Sequence, residues 1–233
     1  MDLLPVTIDL NCDLGELDDA ALEAGLMEHI TSANIACGGH AGDEAAMQRT
    51  VRLALDRGVS IGAHPGYPDR ANFGRIEIAM SEDEIERTVL WQIGRLEAVA
   101  GRLGAHIVHV KAHGALYNVA VRNYAVARAI GAAVRRWNPR ALVFGLAGSP
   151  MLDVWRAMGL QVRGEGFADR RYEPDGTLRS RQLADALILD PAEAAAQAVR
   201  LAREAGMETI CVHGDTPGAA NILQACRRAL QAA

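Results

Sequence analysis

The chain of 233 residues is poor in aromatic side chains, 4% against 50% hydrophobic residues in all. Its core therefore has to be filled mainly by Ala, Val, Leu and Ile, which suits helices packed on a parallel sheet. Lysine is scarcer still: Lys and Arg together number 24, and Lys111 is the single lysine among them. A formal charge of −5 with scattered arginines leaves no basic face, which argues against nucleic acid or another polyanion as partner. No run of about 18 uncharged apolar residues offers a membrane span. The amino-terminal MDLLPVTIDL has neither the basic region nor the long apolar stretch of an export signal, so a cytoplasmic protein is expected. Cys12, Cys37, Cys211 and Cys226 include no CxxC pair, and the first three lie in apolar, strand-like runs where buried thiols are common. That usage fits a reducing compartment. Also missing are a Walker A sequence, since Lys111 is followed by Ala112, a GxGxxG turn after the first strand and a GxSxG elbow. Nucleotide binding by a standard loop and catalysis from an obvious nucleophile elbow are thereby set aside. No linker, fixed-period repeat or low-complexity tract divides the chain, so residues 1–233 are read as one domain.

What is there is alternation. The short apolar runs VTIDLN, SANIAC, GVSIGA, HIVHVK, ALVFGL, LQVRGE and TICVHG alternate with amphipathic stretches, the signature of parallel strands joined by helices. Helices are expected over 43–57, 81–100, 123–137, 149–158, 191–205 and 217–231. The second opens on Ser81 and Glu84 at capping-box spacing. ALIL at 186–189 is an extra strand or an edge piece. Seven strands in an undivided chain favour an α/β fold closed into a barrel over an open sheet.

Strands buried on both faces normally read as continuous hydrophobic runs, and several of these do not. In TIDLNCDLGE, Asp9, Asn11 and Asp13 share one face by the period of two, with Ile8, Leu10 and Cys12 on the other. Asn34 and His40 share a parity if SANIACGGH stays extended, although Gly38-Gly39 offers a bend. His64 ends IGAH, His109, Lys111 and His113 alternate in HVKAH, and His213 and Asp215 end CVHGD. In a barrel the carboxyl ends of the strands converge on one mouth, so these residues are expected to line one pocket there. A single histidine after a strand is more often structural than functional, but five polar strand ends favour a site. His29 and His106 fall outside it, and Asn123, Asn138 and the Glu82-Asp83-Glu84 cluster read as caps and surface charge. GGHAGD at 38–43 is a glycine-rich turn entering a helix, able to hold an anion on its amides. With carboxylate, imidazole and amine together, Lys111→Arg is expected to damage activity more than folding, because a guanidinium keeps the charge but not the compact point shape of an ammonium.

NCDLGE at 11–16, TSANIACGGHAGD at 31–43, GAHPGYPD at 62–69, FGR at 73–75, VKAHGALYN at 110–118, GLAGS at 145–149, FADRRYEPDGTL at 167–178 and CVHGDTPGA at 211–219 resemble the LamB/YcsF family, in order and from end to end. The resemblance implies a distorted (β/α)7 barrel of the glycoside hydrolase/deacetylase type. It also implies the A subunit of an ATP-dependent 5-oxoprolinase, which opens 5-oxo-L-proline to L-glutamate together with B and C subunits, ATP entering through the complex. On that reading Asp13, His40, His64, Lys111 and Asp215 are the catalytic candidates. Asp13 with His40 or His64 would serve as base or metal ligand, Lys111 would face the substrate carboxylate or an oxyanion, and Asp215 would act as acid/base partner. Asn11, Glu16, Asn34, Asp43, His113, Asn118, Arg170 and His213 are the substrate-binding candidates. A divalent metal on Asp13, His40 and His64 stays open beside a purely hydrogen-bonded site. Two rival readings are a stand-alone metal-dependent deacetylase or amidohydrolase and a non-catalytic subunit that binds a small acid. The chain departs from the family pattern at Gly39, where a large residue is usual, at Ala112 for a usual Pro, at Leu17-Asp18 after NCDLGE, and in a short stretch from Asp190 to Thr209.

Overall fold

The computed structural model describes residues 8–203 and 207–232. Val6 and Thr7 of the first expected strand, and residues 204 and 205 of the helix expected over 191–205, lie outside them. Among the described residues there are seven strands: β1 (Asp9–Leu14), β2 (Ser32–Ala36), β3 (Ser60–His64), β4 (Ile107–Lys111), β5 (Leu142–Leu146), β6 (Gln161–Phe167) and β7 (Met207–Val212). Each pairs in parallel with the next, and β7 closes on β1. The register slips between Ile61 and Gly62 and again between Gly164 and Glu165, so the barrel is distorted. At the first slip the His109 imidazole fills the space a side chain at Gly62 would need, with Nε2 about 2.0 Å from where a Cβ would stand.

Among the described residues eight helices wrap the barrel: α1 (Ala20–Met27), α2 (Glu44–Arg57), α3 (Glu82–Arg102), α4 (Gly114–Arg122), α5 (Tyr124–Trp137), α6 (Pro150–Ala157), α7 (Pro191–Arg203) and α8 (Ala219–Ala232). Their ends follow local chemistry. Ser81 and Glu84 close the expected capping box on α3, which satisfies two amide donors that the first turn leaves free. Gly58 ends α2 at φ +63°, a backbone state that glycine takes without strain. Along α3 the apolar face runs Ile85, Val89, Ile93, Leu96, Val99 and Ala100, all buried, and each large side chain there contributes about 1.5–3 kcal/mol. ALIL at 186–189 is not an eighth barrel strand. Arg170 and Leu187 form an isolated antiparallel bridge, which makes the run an edge piece beneath the segment that follows β6.

The outward faces of β1 (Leu10, Cys12, Leu14) join the hydrophobic core under the helices. The inward faces are polar. Near the amino ends of the strands Asp9 accepts from Ser32 Oγ at 2.6 Å and from Thr209 Oγ1 at 2.5 Å. One layer higher Asn11 donates to Thr209 Oγ1 at 2.7 Å and to Glu165 Oε1 at 3.1 Å. The period-two stripe of β1 therefore points down the barrel axis, and its last member, Asp13, arrives at the mouth.

Candidate active site

Beneath the mouth Lys111 is 2% exposed. Its Nζ lies 3.0 Å from Asp13 Oδ1, 2.9 Å from Glu165 Oε1, 3.2 Å from Asn11 Oδ1 and 3.0 Å from Cys211 Sγ. An ammonium has three protons to donate, and four acceptors already compete for them. The protons of Lys111 are thus engaged by barrel side chains. Burial alone would lower its pKa, but Asp13, Cys211 and Glu165 hold it well above the ordinary lysine value. The same pairing acts on Asp13. Burial pushes its carboxyl up, yet the His64 and Lys111 charges outweigh burial and hold it well below the usual carboxylate range. Asn34 adds a donor to Asp13 Oδ1 at 2.9 Å and is itself held by His109 Nε2, 2.8 Å from its Oδ1. Tyr117 donates to Glu165 Oε2 at 2.9 Å.

Above Asp13 three histidines meet Glu16. His40 Nε2 lies 2.9 Å and His113 Nδ1 3.1 Å from Glu16 Oε1, and His64 Nε2 lies 3.6 Å from it. His64 Nε2 and His113 Nδ1 are 3.0 Å apart, and His40 stacks on His113 at 3.6 Å between ring centres. The chain bends at Gly38 (φ +88°), and this turn rather than extended parity delivers His40 to the group. Burial, working against the hydrogen bond to Glu16, pushes the His40 pKa down to about 3. Burial also disfavours the His64 cation, but the Asp13 charge outweighs it and raises the His64 pKa above the ordinary value. The ring of Phe73 packs edge-on against His40 and His113. Among the described residues Phe73 is the non-glycine residue with positive φ, at 56°, a strained state that clusters at functional sites.

Of the metal candidates expected from sequence, His40 and His64 fall together, but the donor atoms that converge with theirs belong to Glu16 and His113. Asp13 groups with Cys211 and His213, with Oδ1 held by Lys111 and Oδ2 3.5 Å from His64 Nε2. His213 is oriented by Asp169, which accepts from its Nδ1 at 3.0 Å and from its backbone amide at 3.1 Å. Asp215 stands at the rim, bound to Arg75 and, at 3.3 Å, to Arg181. Arg170 is 5% exposed and donates to the Arg179 carbonyl at 2.6 Å, while its Nε has no partner among the described residues. Burial and the neighbouring Arg181 charge push its pKa down to about 10. A narrow cleft between β1 and the turn after β7 is lined by Asp13, Gly15, Glu16, Gly214 and Asp215.

Two expected binding residues are placed elsewhere. Asp43 is an exposed cap of α2, accepting from the Ala46 amide at 2.8 Å. Asn118 is exposed on α4, and its neighbour Tyr117 turns inward to Glu165. The departure at Gly39 has a physical counterpart. A Cβ there would stand 2.2 Å from Gln92 Oε1, and the Gln92 amide uses that room to brace the Gly66 backbone at 3.0 and 2.7 Å. Gln92, Asp169, Glu165 and Tyr117 are members of the site that sequence reasoning misses. The signal available is a charge inside a strand for Glu165 and a polar residue on a buried helix face for Gln92.

The family model described as LamB/YcsF family matches residues 8–233. A protein of Chloroflexus aggregans, named as the A subunit of 5-oxoprolinase, is 48% identical over 98% of this chain and 96% of its own length. One of the same name from Bacillus subtilis is 43% identical over 97% and 94%. Among solved structures, the lactam utilization protein from Thermus thermophilus superposes with a TM-score of 0.88 at 38% identity, covering 97% of this chain and 96% of that one. With a family model spanning nearly all of the chain and relatives this close at full length, the chain belongs to the LamB/YcsF family.

Proposed function

We propose that the chain is the A subunit of an ATP-dependent 5-oxoprolinase, opening the lactam of 5-oxo-L-proline to L-glutamate together with B and C subunits. The observation that carries this reading is the convergence of an ionised carboxylate, oriented imidazoles and arginines on one barrel mouth, in a chain similar end to end to relatives named for that activity. Ring opening adds one water across the C–N bond. The water must give up a proton as it attacks the carbonyl carbon, and the ring nitrogen must gain one as it leaves. We assign the first task to Asp13, whose Oδ2 faces the imidazoles while Oδ1 is tied to Lys111. We assign the second to His213, held by Asp169. The lactam is a poor electrophile whose equilibrium favours the ring, and in this reading coupling to ATP hydrolysis, to ADP and phosphate, drives the opening. Arg75 and Arg181 at the rim supply guanidinium groups for the substrate carboxylate. The test is glutamate formation from 5-oxoproline with this chain, its B and C partners and ATP, each omitted in turn. Activity only with all four is expected, and full activity without ATP or without the partners would overturn the reading.

A further inference from the structure

We propose that Glu16, His40, His64 and His113 form a binding site for one divalent transition-metal ion of zinc-like preference. The argument starts from hydrogen positions. His64 Nδ1 lies 2.8 Å from the Lys111 carbonyl oxygen, and His113 Nε2 lies 2.9 Å from the Phe73 carbonyl oxygen. A carbonyl oxygen only accepts, so each of these nitrogens carries the hydrogen. In a neutral imidazole the other nitrogen then presents a lone pair. Those two lone-pair nitrogens, His64 Nε2 and His113 Nδ1, face each other at 3.0 Å, and Glu16 Oε1 faces them at 3.6 and 3.1 Å. With both imidazoles in the neutral form that binds metal, three acceptors aimed at one point repel unless a cation sits among them. A proton bridges two atoms at a time, whereas a metal ion takes all the lone pairs at once.

The dimensions agree. Zinc binds imidazole nitrogen at about 2.0–2.1 Å and carboxylate oxygen at about 2.0–2.2 Å in tetrahedral array, which sets ligand atoms roughly 3.3 Å apart. Four of the six donor separations lie between 2.9 Å, His40 to Glu16, and 3.6 Å, His64 to Glu16, and all four donor atoms fall within 4.8 Å of one another. Metal-bound histidines ordinarily donate their second N–H to a carbonyl or carboxylate, which fixes ring and tautomer. His64 and His113 do so here from different elements, and the site is walled by Gly66 and Gly74. A Cβ at Gly66 would come within 2.8 Å of His40 Nδ1, and one at Gly74 within 3.0 Å of His113 Cδ2. Three nitrogens and one oxygen select borderline ions such as zinc or cobalt over magnesium or calcium.

The proposal is independent of the subunit reading, since it concerns the isolated chain and needs no turnover. The full chain is stripped with a chelator and titrated with Co2+ and then Zn2+, metal content being measured by mass spectrometry and ligand geometry by visible absorption of the cobalt form. Expected is one ion per chain, a four-coordinate cobalt spectrum that zinc abolishes, and no comparable response to Mg2+. Glu16→Gln keeps the shape and removes the charge, and it should weaken cobalt binding about tenfold or more; His113→Ala should remove the spectrum. Circular dichroism of each variant checks folding, and Glu16→Gln serves as the deciding variant if His113→Ala does not fold. Absence of stoichiometric binding by folded wild-type chain, or unchanged cobalt affinity in folded Glu16→Gln, would overturn the site. Metal binding without glutamate formation by the complete complex would leave the site standing and remove the subunit reading instead.

Discussion

Lys111 shows what sequence and structure each reveal about a single residue. Its isolation among arginines marks it as a position where charge alone does not suffice, and the surrounding acceptors explain why. Arginine would have to place a planar fork where an ammonium fits between Asp13 and Glu165 at 3.0 and 2.9 Å. Overpacking of this kind costs about 1–3 kcal/mol, so Lys111→Arg should lower the thermal midpoint by several degrees as well as the turnover of the complex. Lys111→Met removes the cation from two buried carboxylates and should cost more, about 3–5 kcal/mol. A differential scanning series orders them wild type, Arg, Met, and an unchanged midpoint in the methionine variant would contradict the network. Asp169 belongs to the same scale but is invisible in FADRR, because nothing in a loop carboxylate tells which amide it will meet. Burial raises its pKa, while the His213 charge and the hydrogen bonds from His213 and Thr216 lower it further, leaving it depressed. A depressed carboxyl stabilises the fold fully above its unfolded value of about 3.9 and loses that contribution as pH falls through the folded value. Asp169→Asn should therefore be less stable than wild type by about 1.5–3 kcal/mol near neutrality, with the gap closing below about pH 4. Denaturant midpoints across pH 3–7 measure it, and a gap independent of pH would show that ionisation is not the cause.

At the scale of elements, the strands are legible in the sequence and two helices are not. α1 and α4 follow their strands within a few residues, so their apolar positions merge with the runs before them. Overlooking α4 also misplaces a residue: Ala115, Leu116, Val119 and Ala120 bury one side of that helix, Tyr117 joins them, and Asn118 falls to the solvent side. The loop of residues 65–81 between β3 and α3 shows a motif in the sequence but no role. It carries Phe73 onto the histidines and Arg75 to Asp215, and Asp215 also holds Arg181 from the segment after β6. Three loops thus meet on one rim carboxylate. Ion pairs this exposed contribute little to stability, which fits a contact kept for binding. Arg75→Ala and Arg181→Ala should each raise the KM for 5-oxoproline about tenfold, a loss of roughly 1.4 kcal/mol of substrate binding, with kcat nearly unchanged and the thermal midpoint close to wild type. Steady-state kinetics of the reconstituted complex decide it. A fall in kcat at unchanged KM would move these arginines from substrate binding to the chemical step.

Across the whole molecule, the barrel reverses the usual arrangement in which layers of branched apolar side chains fill the interior. Asp9, Asn11, Asn34, His109, Lys111, Glu165 and Thr209 form a hydrogen-bonded column from the amino ends of the strands to the mouth. Two of these seven, Asp9 and Asn11, are stated by β1 through the period of two. The other five come from strands where a polar or charged residue sits in an apolar run, and only closure of the sheet shows which residues meet. The column also bears on where ATP acts. Its polar groups are engaged with one another, the sequence has no Walker A loop, and the single lysine that could have served a phosphate is engaged by Asp13 and Glu165. On the proposed reading the cation chemistry that ATP needs is supplied by the B and C subunits, with this barrel contributing the pocket for the lactam. Purified alone with 5-oxoproline, Mg2+ and ATP, the chain should form no glutamate and release no phosphate above background, and both products should appear in equal amounts once B and C are added. Phosphate release by the isolated chain at the rate of the complex would place the ATP site in this barrel and refute the division of labour.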